Sequence, residues 1–185
     1  MTFGDRVLGA LKLDANTFED IERDPAAMGQ AVGVIAISAV ASGLANVWYG
    51  GISGIILGLI TSLIGYALWA TVVWLVGTKL MPDPATKADF PETFRVLGFA
   101  AAPGVLAIIT IIPLLGWLLM VIVYPIIWLW SMAIMVIGVR QVLDYTDTFK
   151  AVIVVIIGFV AYLVFWGTVA MMGIGAAMVG GMMAH

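Results

Sequence analysis

A chain of 185 residues that is 63% hydrophobic, 10% charged and of mean hydropathy +1.15 carries more apolar surface than a soluble domain of that size can bury, so it must dissolve in a bilayer. Its net charge of -3 offers no basic surface for nucleic acid. The absence of cysteine excludes disulfides, thiolate nucleophiles and sulfur-ligated metals.

Residues 1–24 read as a cytosolic, amphipathic and acidic segment rather than a span. Phe3, Val7, Leu8 and Leu11 recur at helical spacing while Asp5, Arg6, Gly9 and Lys12 take the other side, the pattern of a short helix lying on a membrane surface. Asn16 or Thr17, with Glu19 or Asp20 three residues on, predicts the N-cap of a second short helix. The polar and acidic stretch before the first apolar run does not have the short basic start of a signal peptide. Asp24 followed by Pro25 suits the start of the first span, Asp as a cap and Pro at the first helical position.

Apolar stretches of about 20 residues, the length a bilayer requires, then follow at about 27–48, 54–79, 96–113, 114–139 and 150–175. The expected fold is an all-α integral membrane protein: five transmembrane helices in a domain over 25–185, preceded by the short amphipathic helix. Every Lys and Arg falls between alternate spans: Arg6, Lys12 and Arg23, then Lys79, Lys87 and Arg95, then Arg140 and Lys150. The turns at 49–54 and around Pro113 carry none. The positive-inside rule therefore predicts a cytosolic N-terminus and an external C-terminus. All eleven Asp and Glu lie on that same side.

The segment between the second and third spans, broken by Pro82, Pro84 and Pro91, predicts a loop and a short helix starting near Pro91. The last link is tighter, with Asp144 and Asp147 as capping residues. Thr-Phe recurs at 2–3, 17–18, 93–94 and 148–149. Thr caps a helix and Phe sits at headgroup level in one reading; an internal duplication is the other. Small residues recur every four at Gly50, Gly54 and Gly58, at Gly29 and Gly33, at Ser38 and Ser42, and at Gly173, Ala177 and Gly181. Such spacing lets helices approach closely, within the bundle or in a homo-oligomer formed through the last helix.

Chemistry in the spans is sparse. No Asp, Glu, Lys, Arg or His lies in the central part of any span, which speaks against a pump or a proton-coupled transporter. His185 is the only histidine, so haem and histidine-ligated metal lack ligands. Ser38, Ser42, Ser53, Ser62 and Ser131 have no base at their depth, and no Gly-Lys-Ser/Thr phosphate loop is present. The expectation is no catalytic residue, no metal and no cofactor.

Two features remain. Glu19, Asp20, Glu22, Asp24, Asp89, Glu92 and Arg95, with Asp144 and Asp147, form a candidate cytosolic contact face for a basic partner or a divalent cation; a solvated face with helix caps is the alternative. Tyr124, Pro125, Trp128 and Trp130 place aromatics and a kink at membrane depth, lining a lipid-facing groove or packing in the bundle.

The stretch Phe94 to Gly104, "FRVLGFAAAPG", reads as the way into the third span. Arg95 would keep its guanidinium at the interface, Ala100 to Ala102 would make a narrow helix surface, and Pro103 with Gly104 would kink the helix. Together with "NTFEDIERDP" (Asn16 to Pro25), this stretch resembles the Yip family of five-span membrane proteins with a cytosolic N-terminus, over residues 17 to about 175. Eukaryotic members interact with Rab-type GTPases and act in membrane traffic and organelle shape, but they carry a long cytosolic N-terminal region where this sequence has about 25 residues, so the resemblance does not by itself imply GTPase binding. The short form resembles bacterial members.

The expected function is a non-enzymatic scaffold, accessory subunit or membrane-organising factor, with membrane lipids and a protein partner or second copy around it. A passive transporter or oligomeric channel is the alternative, in which Pro103, Pro113 and Pro125 break helices along a path. Reporter fusions after Gly51 and His185 are expected to report outside, and after Asp83 and Tyr145 inside; a reversal at any of the four sinks the five-span arrangement.

Overall fold

The computed structural model describes residues 1–45, 47–112 and 116–183, without the side chains at 48–50, 117, 166, 169–170 and 172–183. The turn expected at Pro113, the Gly50 position, the Gly173, Ala177 and Gly181 repeat and His185 lie outside that description. The fold is all-α, with no strand among the described residues. Its elements are α1 (Phe3–Leu11), α2 (Ala15–Arg23), α3 (Ala27–Ala45), α4 (Val47–Leu75) with a π-helical turn at Val76–Leu80, α5 (Phe90–Phe99) followed by a 3-10 helix at Ala102–Ile111, α6 (Gly116–Val142) and α7 (Thr148–Met183). Among the described residues, five stretches are long and apolar enough to cross a membrane: Ala27–Ala45, Gly51–Leu80, Phe90–Ile111, Leu118–Val142 and Thr148–Phe165.

Helix starts follow local side-chain chemistry. At α1 the Thr2 hydroxyl accepts from the Asp5 amide (3.2 Å) while Asp5 accepts from the Thr2 amide (3.0 Å), a reciprocal cap that satisfies two orphan donors. Asp89 and Glu92 do the same for α5 at 2.7 and 2.8 Å, with Pro91 in its first turn. The cap of α2 is Asp14, which accepts from the Asn16 amide (3.1 Å), and not Asn16 or Thr17 as expected. Thr17 is buried instead, packed where Gly9 of α1 has no side chain. Of the four Thr-Phe pairs only Thr2 acts as a cap: α5 uses Asp89, and at α7 it is Asp147 that accepts from the Phe149 amide (2.8 Å).

The third span is the hub. Residues of α5 and its 3-10 extension pack on α2, α3, α4 and α6, and Val96, Leu97, Phe99 and Ala100 are almost wholly buried. Pro103 does more than kink this span. The α-helix stops at Phe99, and ten residues from Ala102 run as a 3-10 helix, a form that seldom exceeds three or four residues. Irregular backbone at membrane depth is tolerated only where protein covers it. The cover comes from α3, whose Ser38 hydroxyl donates to the Ala101 carbonyl at 2.7 Å. Gly104 lets this approach happen, since a Cβ there would lie 3.0 Å from that of Ser38. Pro125, by contrast, sits inside an α6 that continues through it.

Gly54 and Gly58 make no close packing within this chain: a Cβ on either would meet nothing within 4 Å. Both glycines line a groove of ≈ 250 Å³ shared with Ala39 and Ser42 of α3, while Ile55 between them lies close against Gly43 of α3. Close approach occurs at other glycines. A Cβ on Gly98 would lie 2.8 Å from that of Ala31, so Gly98→Leu is expected to cost about 1–3 kcal/mol by overpacking, read as a lower Tm in detergent. Gly29→Ala, where the space is open, should leave Tm unchanged or slightly raised.

Candidate functional site

The N-terminal hairpin of α1 and α2 folds against the charged end of the bundle, and two arginines hold it there. Both differ from expectation. Arg6, placed by periodicity on the polar outer side of α1, is 2% exposed. Its Nε donates to Asp20 Oδ2 at 2.7 Å, one terminal nitrogen donates to Asp24 Oδ2 at 2.6 Å, and the other to Gln30 Oε1 at 2.9 Å. One planar fork thus joins α1, the end of α2 and the start of α3. The paired carboxylates pull Arg6 inward and leave Phe3 and Leu8 on the exposed side of α1, 40% and 56% open.

Arg95 does not reach out to water or phosphate. It is 6% exposed, and its guanidinium donates to the carbonyls of Ile21, at 3.2 Å, and Glu22. Those are among the last carbonyls of α2, which have no partner within the helix and carry its partial negative charge. The tip of the hairpin is tied separately: the Trp130 indole donates to the Leu11 carbonyl at 3.0 Å.

The seven residues of the expected contact face divide into three groups. Asp20 and Asp24 belong to the Arg6 lock, and the Arg6 hydrogen bonds hold both carboxyls below the ordinary Asp range. Asp89 and Glu92 cap α5, with Arg95 buried behind α2. Glu19 and Glu22 open into a polar pocket of ≈ 360 Å³, completed by Arg23, Arg140, Gln141 and Asp144. Among the described residues no three carboxylates converge closely enough to hold a metal ion, so the cation reading finds no ligand set there.

Two signals in the sequence pointed elsewhere. Arg140 and Gln141, at the end of α6, carry no motif of their own and join the pocket only because α2 lies across them. Tyr145 and Lys150 tie the two charged links together: the Tyr145 hydroxyl donates to the Met81 carbonyl (2.8 Å), and Lys150 donates to the Pro82 carbonyl (3.0 Å) and pairs with Asp83. Burial, with Asp83 nearby, pushes the Tyr145 phenol up to about 12. Asp144 reaches the pocket through a left-handed turn, φ 52°, a conformation Asp tolerates better than most residues.

A multi-pass helical membrane protein, closed at one end by an arginine-locked N-terminal hairpin and centred on a broken third span, is the class these features define. The chain belongs to the Yip1 domain family, whose model matches residues 10–168. No curated protein and no solved structure matches it. The match begins inside α1, so it takes in α2 and both partners of the Arg95 contact along with the spans.

Glu22 makes the hairpin sensitive to pH. Burial raises its carboxyl from 4.5 to about 7, helped by Asp144, Glu92 and Glu19 and opposed by Arg23. A carboxyl raised in the packed state favours packing while protonated: its contribution is complete below 4.5 and is lost as pH climbs through about 7. Hydrogen exchange of the α2 amides, corrected for intrinsic rate, should therefore be faster at pH 8 than at pH 6, and Glu22→Gln should remove the difference. Arg6→Met should raise exchange across residues 1–24 at both pH values. Its carboxylate partners are a third or more exposed, so the cost should fall below the about 3–5 kcal/mol of a fully buried pair.

Proposed function

We propose that this Yip1-domain protein is a non-enzymatic membrane scaffold or accessory subunit, seated in a bacterial inner membrane with its N-terminus cytosolic. Its residues 1–24 act as a contact unit on a membrane domain over 25–185. The observation that carries this reading is the built pocket beside the hairpin, where Glu19, Glu22 and Asp144 face Arg23 and Arg140. Groups of both signs, held on three elements, suit a partner segment with alternating charge better than a small ion. The spans carry no ionisable group at mid-depth to couple transport to a gradient. The exposed apolar side chains Met1, Phe3, Leu8 and Leu13 give the hairpin a flank suited to the lipid interface, and a second copy or a different membrane protein completes the complex within the bilayer.

A second reading, passive transport, is favoured by one observation: the third span is broken at the centre of the bundle, where transporters place irregular backbone. The two readings separate in one comparison. In-membrane cross-linking of the native chain should give a discrete adduct that Glu19→Lys with Asp144→Lys reduces several-fold, while proteoliposomes of the purified protein show no solute flux above empty vesicles. Flux with an unchanged adduct pattern would replace the scaffold by the transporter.

A further inference from the structure

Midway along the spans, α4 and α6 stand apart and leave a lateral groove of ≈ 290 Å³, close to the lower size limit of ligand sites, about 300 Å³. Phe159 and Tyr162 of α7 close its back. The wall is a continuous run of rings: Trp69 lies 5.3 Å from Tyr162 and 5.8 Å from Phe159, and Phe159 lies 5.9 Å from Trp128, centroid to centroid. This places Trp128 and Tyr124, the aromatics of α6 singled out in the sequence, on a groove rather than in a filled core.

The polar atoms of the groove are unusual for their depth. Thr61, Thr71 and Thr78 follow the ordinary rule for hydroxyls in membrane helices, each donating to a carbonyl one turn back at 2.7–2.8 Å. Ser62 of α4 and Ser131 of α6, which both line the groove, make no such bond among the described residues. Nor are their oxygens sealed in: the one side-chain polar atom that is buried without a partner among the described residues is Trp69 Nε1, which lies against Gly158. Hydroxyls left open at membrane depth have no water to bond. They are donors awaiting an acceptor that arrives from the bilayer.

No Lys, Arg, Asp or Glu lines the groove. A charged phosphate headgroup would lose its hydration there with no counter-charge in return, which excludes ordinary phospholipid heads. Aromatic walls favour a planar group stacked or edge-on against them, and hydroxyl donors on two different helices favour a ring with more than one oxygen. We propose that the groove between α4, α6 and α7 binds an uncharged, membrane-dissolved ring carrying carbonyl oxygens, the chemistry of a quinone on an isoprenoid tail, with Ser62 and Ser131 donating to its two carbonyls. The binding is non-covalent and involves no electron transfer. The tail leaves sideways into lipid through the gap between α4 and α6.

The test uses the full chain in nanodiscs, titrated with decylubiquinone and read by quenching of tryptophan fluorescence, with dioleoylglycerol as competitor. Saturable quenching is expected. Ser62→Ala with Ser131→Ala should weaken it about thirtyfold, the loss of two hydrogen bonds worth about 1 kcal/mol each. Ser62→Leu, which fills the opening with a side chain lipid accepts, should abolish saturation. Native circular dichroism and a single elution peak establish that each variant folds. Linear quenching that is equal in all three proteins would reduce the effect to partition into lipid and overturn the proposal. Displacement by dioleoylglycerol at matched concentration would overturn it in favour of a site for glycerolipid carbonyls or acyl chains.

Discussion

The contact on which the charged end depends is the guanidinium of Arg95 against the last carbonyls of α2. A nine-residue helix is too short to be stable alone in water, and its free carbonyls at Ile21 and Glu22 would have to be left bare or solvated. Arg95 answers both at once, from a helix of the membrane bundle that is buried on nearly every side. The cation is in turn kept from being a bare charge by the partial negative end of α2. Phe18 and Ile21, both fully buried, add the apolar half of the joint, and a Cβ on Gly138 of α6 would come within 3.7 Å of the Phe18 ring. The hairpin is therefore a structural layer of the bundle, continuous with its core. Arg6 extends the same logic outward, fixing α1 to the start of α3 through two carboxylates and an amide.

The broken third span follows from a comparable constraint deeper in the membrane. Pro103 has no amide hydrogen, so the carbonyl one turn earlier loses its partner, and the residue before a proline is itself pushed away from the helical region. In lipid this would be expensive. Ser38 braces the break from α3 by donating to the Ala101 carbonyl, which also accepts from the Gly104 amide, and the alanines between Phe99 and Pro103 let α3 come close enough to do so. The defect is thus placed where two helices already touch. Helices with open faces, α4, α6 and α7, surround this centre.

Much of this was legible in the sequence, for identifiable reasons. Apolar runs bounded by charge locate the five spans, because the bilayer sets their length. Asp89 with Glu92, and Thr2 with Asp5, announce helix starts, because capping depends only on residues three apart. Pro103 announces the break. What could not be read were contacts between segments distant in the chain. Arg6 and Arg95 look like surface arginines on any one-dimensional pattern, since their partners lie 14 to 24 and 73 to 74 residues away. The acidic residues look like one face and are three groups, because α2 turns Asp20 and Asp24 toward α1 while Glu19 and Glu22 face the links after α4 and α6. Four-residue glycine spacing suggested contact at Gly54 and Gly58, yet spacing fixes only that residues share a stripe. Which stripe is met by a neighbour depends on how the helices diverge.

The two polar places left in the molecule differ in a way that separates their uses. At the charged end carboxylates and guanidiniums are held by locks, caps and neighbouring charges of either sign, and the carboxyl of Glu22 is driven towards neutrality by its surroundings. Binding there must trade against intramolecular pairs already made, so it can be coupled to whether the hairpin stays closed. In the groove the reverse holds. Ser62 and Ser131 give up nothing to meet a ligand, and the ring wall is assembled without one. A preformed site of that kind costs little to occupy, whereas a site that competes with its own lock reports on a partner. The charged end of the bundle is thus suited to sensing and the mid-span groove to holding.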